Sequence, residues 1–251
     1  MKKIGIVGGV AWQSTVDYYA ELCRRSQQWH VSRNQPGEPT FPEISIESLD
    51  LAKAISYLGS DDHEQSWSKF DEYHRAALKR LEVSGAEVAV IASNTPHHRF
   101  DAIVQGIQIP VISVIEEMAK QSAEIGVQQV LLLGTDLTMK SRKFRDVFER
   151  HGIEASGPRS EEARSLTTDL INQLQRGKTQ GAAAKLGRIV DLSLDAQPEL
   201  KPKPAVCLAC TELTLAFGEE RTLPIFKHDG IVYINSSLVH VNAAFEFAVA
   251  E

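Results

Sequence analysis

The chain has 251 residues, 43% of them hydrophobic, which is enough for one large or two small domains with a real core. Its formal net charge is -6, from 33 acidic and 27 basic residues, and no block of lysine or arginine is present that would follow a phosphate backbone. These values exclude a disordered chain and indicate that nucleic acid is not a partner.

No apolar run approaches the ~20 residues that a membrane-spanning helix needs. Residues 1–9 predict a short strand and turn rather than the apolar core of a signal peptide. Three cysteines, Cys23, Cys207 and Cys210, fit reduced thiols better than a disulfide framework. We therefore expect a cytoplasmic protein with no membrane partner.

Strand-like runs alternate with helical patterns, which predicts an α/β fold with mostly parallel sheets. The predicted strands lie at residues 4–7, 44–46, 87–92, 111–113, 130–133, 205–208 and 232–234. Two amphipathic helices are predicted to cover the first strands. The first follows a cap at Ser14 or Thr15, and its apolar face holds Val16, Tyr19, Ala20 and Cys23. The second ends before Gly85, and its apolar face holds Phe70, Tyr73, His74, Ala77, Leu78 and Leu81.

Two predicted strands end on a small nucleophile, in A-S-N-T from Ala92 and in A-C-T-E from Ala209. Thr95 and Pro96 are typical of an N-cap followed by proline at the first helical position. Ser93 is therefore expected between the carboxyl end of a strand and the N-terminus of a helix.

The order of elements in the first half is repeated in the second. A strand with a glycine turn comes first, at Gly8 and again at Gly134, and a strand with a nucleophile comes later. This order predicts two pseudo-symmetric lobes, residues 1–106 with 216–251 and residues 107–215. Open α/β sheets bind ligands at their carboxyl ends, so the active site is expected in the cleft between the lobes. The last helix, residues 236–250, is expected to return to the first lobe.

Cys210 is the sharpest candidate for chemistry. The N-terminus of a helix lowers the pKa of a thiol from its ordinary value of about 8.5, so Cys210 could act as nucleophile and base. The alternative is a buried structural cysteine, which explains Cys207 better. Their C-x-x-C spacing lacks a second ligand pair for zinc, and a redox pair is expected on a turn.

Other candidate residues have ordinary alternatives. Ser93 could be a helix cap, and His97 or His98 could orient a ligand or be a solvated histidine. Glu212 could relay a proton or simply complement the helix dipole. Gly8 and Gly9 offer backbone N–H groups to an anion, but they do not form the G-x-G-x-x-G motif of dinucleotide sites.

Four segments resemble, in order and spacing, the pyridoxal-phosphate-independent aspartate/glutamate racemase family. They are G-G-V-A-W-Q-S-T-V-D-Y-Y from Gly8, S-N-T-P-H from Ser93, L-G-T-D-L-T-M from Leu133 and A-C-T-E-L from Ala209. The resemblance covers essentially the whole chain, and the two nucleophile motifs are its most specific part.

The resemblance implies an amino-acid racemase with one acid–base group on each face of the substrate Cα, here Ser93 and Cys210, and with no cofactor or metal. It also implies a small amino-acid substrate and a homodimer. The implied substrate-binding residues are Gly9, Gln13, Ser14, Asn94, Thr95, Thr138, Thr211 and Glu212.

Two departures from the family matter. Ser93 stands where the family has a cysteine, and a serine hydroxyl needs an adjacent general base, for which His97 is nearest in sequence. Residues 45–55 contain no arginine to bind a side-chain carboxylate, so Arg176 or Lys140 is expected to supply that charge.

The serine leaves several readings open. The protein could be a natural racemase that works unequally on two enantiomers, or a Cys-to-Ser variant introduced to trap a substrate. It could also be an isomerase or decarboxylase of dicarboxylic acids with one cysteine, or a non-catalytic amino-acid-binding protein. Asn94, Thr95 and the W-Q-S-T loop favour the racemase.

Overall fold

The computed structural model describes residues 1–34, 36–200 and 203–250. The chain divides into two compact units, Met1–Ser113 with His240–Glu251 and Val114–Val239. Each unit has its own sheet and its own apolar core. None of the helices in the described ranges combines the length and the apolar character required to cross a membrane.

The first unit is built on a parallel four-stranded sheet with the order β2-β1-β3-β4. Its strands are β1 (Ile4–Gly8), β2 (Ile44–Ser48), β3 (Val88–Ile91) and β4 (Val111–Ile112). Its helices are α1 (Trp12–Ser32), α2 (Leu51–Ser56), α3 (Ser68–Val83) and α4 (Phe100–Val104), with 3-10 helices at Glu64–Trp67 and Thr95–Arg99.

The second unit has a five-stranded sheet with the order β6-β5-β7-β9-β8, in which only β8 runs antiparallel to its neighbour. Its strands are β5 (Gln129–Gly134), β6 (Glu154–Ser156), β7 (Ala205–Ala209), β8 (Ile225–His228) and β9 (Ile231–Asn235). Its helices are α5 (Val114–Glu124), α6 (Asp136–Lys140), α7 (Arg142–Arg150), α8 (Glu161–Gln175) and α9 (Ala182–Asp195), with 3-10 helices at Thr211–Ala216 and Glu219–Thr222. The final helix, α10 (Ser236–Val249), begins in this unit and ends in the first.

The two sheets share one topology. The order β2-β1-β3-β4 corresponds to β6-β5-β7-β9, so the glycine-turn strand pairs in parallel with the nucleophile strand in both units. The α/β fold class and all seven predicted strands are confirmed. Two strands were missed: β6 has only three residues, and β8 forms a hairpin with β9 around Asp229 and Gly230, both at positive φ.

The second lobe was predicted to end at residue 215, whereas the second compact unit ends at Val239. Residues 216–239 lie in the second unit, because β9 pairs with β7 and β8 pairs with β9. The final helix does return to the first unit, where Val241, Ala244 and Phe245 pack with β1 and β3 in one core. The division between the halves comes after Ser113, a few residues later than the prediction.

Helix α1 differs from its prediction in two ways. It begins at Trp12, so Ser14 and Thr15 lie within its first turn rather than capping it. Its buried face carries Tyr18 and Leu22, whereas the predicted apolar face is largely exposed. The helical period grouped these four side chains on one face of the helix, but it did not show that the opposite side of α1 meets the sheet.

Candidate functional site

The turn after β1 is tightly held in the first unit. Gly9 has φ +86°, and its backbone N–H donates to Oγ1 of Thr15 over 2.9 Å. The same hydroxyl donates to the carbonyl of Ala11. A Cβ at Gly9 would overlap the backbone of Leu49, so the turn requires glycine. Among the predicted binding residues beside it, Ser14 is buried and Gln13 is half-buried.

Ser93 follows the carboxyl end of β3, next to β1. The strand continues one residue further, with the N–H of Ala92 donating to Val7. The N–H of Ser93 then donates to the carbonyl of Ile91 over 2.8 Å, which turns the chain. Ser93 is half-buried and Asn94 is buried. The helix that follows is a short 3-10 helix beginning at Thr95, one residue before the predicted start.

His97 is not placed as a base for Ser93. Its ring is fully buried, stacks on Phe100 with centroids 5.2 Å apart and meets the edge of His240. Its Nε2 lies 3.4 Å from the carbonyl oxygen of Ile91, and none of the hydrogen bonds of the described residues joins it to Ser93. Burial, with the neighbouring His240, lowers the pKa of His97 well below 6.5, so this ring is neutral.

The segment after Ser93 is anchored by charged contacts within the first unit. Nε2 of His98 lies 2.8 Å from a carboxylate oxygen of Asp61. Arg99 donates to both Asp71 and Glu64, and the hydrogen bonds to these two carboxylates raise its pKa. His98 thus contacts a protein carboxylate rather than standing alone in solvent.

Cys210 lies at the corresponding place in the second unit. It follows β7 in an extended conformation, with φ -148° and ψ 125°, and precedes the 3-10 helix that starts at Thr211. Its side chain is buried, as is that of Cys207 within the strand. Cys207 faces the apolar core, as its structural interpretation predicts.

The electrostatics of Cys210 are opposite to the prediction. The thiol Sγ donates a hydrogen bond to Oε2 of Glu212 over 3.0 Å. Burial, and then the charge and hydrogen bond of Glu212, raise the pKa of Cys210 well above its ordinary value. The backbone N–H groups of Glu212 and Leu213 favour the thiolate as predicted, but they do not outweigh these two effects. Cys210 is therefore a protonated thiol at rest.

Glu212 is the centre of a small polar network that the sequence did not show. Its carboxylate is buried and accepts from the thiol of Cys210, from Oγ1 of Thr211 and, at its other oxygen, from Nε2 of Gln175 over 3.3 Å. No lysine or arginine of the described residues forms an ion pair with it. Gln175 was missed because a glutamine at the end of α8 has no distinguishing pattern.

The remaining predicted binding residues lie in the second unit. Thr138 is fully buried in α6, where its N–H donates to Oγ1 of Thr135, the helix cap. Lys140 is exposed and paired with Asp136 over 2.8 Å. Arg176 follows α8 directly and lines an open polar cavity of about 770 Å³.

Most of the predicted residues lie at the carboxyl end of one sheet or of the other. Gly9, Gln13, Ser14, Ser93, Asn94 and Thr95 belong to the first sheet, and Thr138, Cys210, Thr211 and Glu212 to the second. In the described parts of the chain, no group of three or more histidines, cysteines and carboxylates is placed to hold a metal ion.

The chain matches the model of a known protein family over most of its length. The model of the Asp/Glu/Hydantoin racemase family matches residues 7–244. An aspartate racemase homologue from Pyrococcus horikoshii OT3 has 28% identity and a TM-score of 0.74, with 100% of both chains covered. A putative Asp/Glu racemase from Yersinia pestis has 25% identity and a TM-score of 0.76, again with 100% of both chains covered.

A third relative is RacX, a broad specificity amino-acid racemase from Bacillus subtilis (strain 168). It is 23% identical over 154 residues, which are 60% of this chain and 62% of RacX. The match therefore spans less than two thirds of that relative. The family resemblance predicted from the four sequence segments is confirmed.

Proposed function

The chain belongs to the Asp/Glu/Hydantoin racemase family, and on that premise we propose that it is a cofactor-independent amino-acid racemase of the aspartate/glutamate type. Cys210 and Ser93 act from opposite faces of the substrate Cα. The observation that carries the proposal is the thiol of Cys210, which ends a strand and is held by a carboxylate that can accept its proton.

On the Cys210 face, the resting thiol can donate its proton to a substrate carbanion. In the opposite direction, the thiol proton first moves to Oε2 of Glu212, which accepts its hydrogen bond. The thiolate then takes the α-hydrogen as a proton. The electron pair of the broken C–H bond stays on the substrate and is delocalised into its α-carboxylate, where hydrogen-bond donors stabilise it.

On the Ser93 face, the hydroxyl is a much weaker acid and base than a thiol. His97 does not contact Ser93, so it does not supply the missing base. We propose that Ser93 acts through a water molecule and that this face is the slow one. The enantiomer whose α-hydrogen faces Cys210 would then exchange that hydrogen faster than the other.

The α-carboxylate and α-amino group are assigned to polar groups at the two strand ends: Gly9, Gln13, Ser14, Asn94, Thr95, Thr138 and Thr211. For a substrate side-chain carboxylate, Arg176 is a better partner than Lys140. Lys140 is already paired with Asp136, whereas Arg176 is exposed and its guanidinium has no ion pair among the described residues. An acidic amino acid is the substrate class that this charge favours.

The test is solvent deuterium exchange. L- and D-aspartate and L- and D-glutamate are incubated separately in heavy water, the α-hydrogen is followed by NMR, and the enantiomers are separated by chiral chromatography. We expect exchange and inversion with unequal rates for the two enantiomers. Cys210→Ser abolishes both, while Cys23→Ser, a change of the same kind away from the two strand ends, leaves them intact.

Three results would oppose the proposal. If neither the wild type nor Ser93→Cys exchanges any of the four amino acids, the racemase assignment is wrong. A rise in melting temperature with an amino acid, without exchange, would indicate a binding protein instead. Turnover of maleate or a substituted malonate would indicate an isomerase or decarboxylase with one cysteine.

A further inference from the structure

Two histidines that take no part in the proposed chemistry lie side by side in the first unit. His97 and His240 are both fully buried, and their rings meet edge to face with centroids 5.6 Å apart. His97 belongs to the 3-10 helix that follows Ser93, whereas His240 belongs to the final helix, α10. Buried polar groups in folded proteins are hydrogen-bonded as a rule, so the partners of the two rings indicate their role.

Each ring faces the last carbonyl group of a strand. Nε2 of His97 lies 3.4 Å from the carbonyl oxygen of Ile91, which ends β3. Nε2 of His240 lies 2.9 Å from the carbonyl oxygen of Ile112, which ends β4, the strand paired with β3. A carbonyl oxygen only accepts, so we assign the ring hydrogen to Nε2 in both histidines. The two imidazoles therefore cap adjacent strands at the carboxyl end of the sheet, where Ser93 also lies.

The carbonyl group of Ile91 connects His97 to Ser93. It accepts from the N–H of Ser93 over 2.8 Å, the hydrogen bond that turns the chain after β3, and it also accepts from Nε2 of His97. A carbonyl oxygen has two lone pairs, so the two donors can share it. Because the peptide group is planar, the direction of this carbonyl sets the direction in which the chain leaves the strand. His97 thus acts on Ser93 through the backbone rather than through the hydroxyl.

The ring of His97 is itself held in place by its neighbours. It stacks on Phe100 at 8° from parallel, and His240 packs against it at 79°. His240 is fixed in turn, because its Nδ1 lies 2.9 Å from the hydroxyl of Tyr18. That hydroxyl is the donor, since the hydrogen of the neutral ring is on Nε2. Burial lowers the pKa of His240 to about 4 and raises the pKa of Tyr18, so neither group is charged at neutral pH.

The nitrogens of His97 show that its ring does more than fill space. An apolar aromatic side chain could pack between Phe100 and His240 without burying any polar atom. The histidine instead buries an Nδ1 that has no hydrogen-bond partner among the described residues, which is unfavourable. The ring nitrogen that has a partner is Nε2, and this partner is the carbonyl group that turns the chain at Ser93.

We propose that His97 is a positioning residue for Ser93, and that His240 and Tyr18 hold its ring in place. The assignment rests on the proposed function, in which Ser93 serves one face of the substrate Cα. It gives His97 a role other than the general base that its position in the sequence suggested. Its loss should therefore impair the Ser93 face and spare the Cys210 face.

The test uses Ser93→Cys as the parent, so that a thiol makes the face at position 93 measurable. His97→Phe keeps an aromatic ring but removes the donor, whereas the amide of His97→Gln can place an N–H near the position of Nε2. Exchange of the α-hydrogen in heavy water is followed for each enantiomer of aspartate and glutamate. The enantiomer that the wild type exchanges more slowly reports on position 93, and the faster one on Cys210.

His97→Phe should slow exchange on the position-93 face about 10-fold, since a misplacement of ~1 Å can cost as much as ~10²-fold. Exchange on the Cys210 face should stay close to that of the parent. His97→Gln should recover most of the loss. Tyr18→Phe, which removes the hydroxyl that holds His240, should slow the same face, whereas Tyr19→Phe, the same change at a 49% exposed position, should not.

NMR of the ring nitrogens in the wild type gives a readout that does not depend on turnover. We expect the Nε2 protons of His97 and His240 to be protected from exchange with water at neutral pH. Long-range nitrogen–proton correlations identify the protonated nitrogen, and His97→Gln and His240→Gln assign the signals. A hydrogen on Nδ1 of His97, or an unprotected Nε2 proton, would overturn the proposal.

Two kinetic results would also overturn it. Equal slowing of both faces in His97→Phe would show that the ring only stabilises the fold. A glutamine variant as slow as the phenylalanine variant would show that the donor does not matter. Neither result would affect the racemase assignment. An absence of exchange already in the Ser93→Cys parent would instead contradict the proposed function, and with it the positioning role.

Discussion

The thiol of Cys210 donates to the Glu212 carboxylate over 3.0 Å, and both side chains are buried at the end of β7. The charge of Glu212 is one of the causes that raise the pKa of Cys210. Replacing it with an amide removes that charge while keeping the side chain's size. Glu212→Gln should therefore lower the pKa of Cys210.

The pH dependence of alkylation by iodoacetamide measures this change. Modification of Cys210 is followed by peptide mass spectrometry, with Cys23 in the same sample as an internal reference. The midpoint for Cys210 should move to lower pH in Glu212→Gln and stay in place in Glu219→Gln, an exposed carboxylate of the next 3-10 helix. An unmoved midpoint in Glu212→Gln would show that the carboxylate does not control the thiol.

The serine at position 93 makes a second prediction. A thiol there would supply a general acid–base group on the slow face, and such groups contribute typically 10²–10⁴-fold to rates. Ser93→Cys should therefore raise the rate of inversion by roughly 10²-fold and bring the exchange rates of the two enantiomers closer together.

Chiral chromatography with each enantiomer as the starting material measures both effects. Ser93→Ala is the matched control, since it removes the hydroxyl without adding a thiol, and it should not accelerate inversion. A cysteine that leaves the two enantiomers as unequal as before would mean that position 93 does not face the substrate.

The strands could be predicted from the sequence because the residue patterns that mark them are local. Apolar runs ending in glycine or small polar residues identified the seven strands, and the antiparallel hairpin at Asp229 and Gly230 could have been read from the same chemistry. The three-residue strand β6 could not, since E-A-S has no apolar alternation. The exposed flank of α1 was misassigned because helical periodicity defines a face without saying what it touches.

The chemistry of the candidate site was harder to predict from the sequence than the fold. The position of Cys210 at the junction between β7 and a helix followed from sequence, but its pKa depends on burial and on where the Glu212 side chain points. The spacing of two residues between Cys210 and Glu212 determines neither the burial of the thiol nor the direction of the Glu212 side chain. For the same reason, His97 appeared to be the nearest base for Ser93, although its ring turns toward Ile91 and His240.

Buried histidines in the first unit predict an acid-sensitive fold. Burial lowers the pKa of His74 and of His240 to about 4, and lowers that of His97 further below its ordinary value. In the unfolded chain these groups bind protons at about pH 6.5. As the pH falls below 6.5, the unfolded state takes up protons first, so each histidine removes about 1.4 kcal/mol of stability per pH unit until its native pKa is reached.

Urea unfolding at pH 7.0, 6.0 and 5.5 measures this loss. His240→Gln should flatten the dependence on pH by close to one proton, whatever it does to stability at pH 7. His63→Gln, at an exposed position, should leave the slope as in the wild type. If the free energy of unfolding depends on pH equally in the wild type and in both variants, His240 is protonated in the native state.

Alanine substitutions at two glycines with similar φ angles can separate two contributions to stability. One is the strain of the backbone conformation, and the other is the steric overlap of the added Cβ. Gly9 has φ +86° and Gly85 has φ +83°, but a Cβ at Gly9 would overlap the backbone of Leu49, whereas a Cβ at Gly85 would meet nothing within 4 Å. Gly85→Ala should cost only the conformational strain, about 1–2 kcal/mol. Gly9→Ala should cost more, roughly 3 kcal/mol or above, because backbone atoms must also move.

The same comparison connects this turn to the proposed substrate site. Gly9→Ala should displace the N–H that Thr15 holds and raise the KM for the amino acid, whereas Gly85→Ala, beyond the end of α3, should change stability alone. Urea unfolding and steady-state kinetics on both variants measure the two effects. Equal losses of stability in the two variants would show that the backbone at Leu49 moves at little energetic cost. An unchanged KM in Gly9→Ala would show that this turn is not part of the binding site.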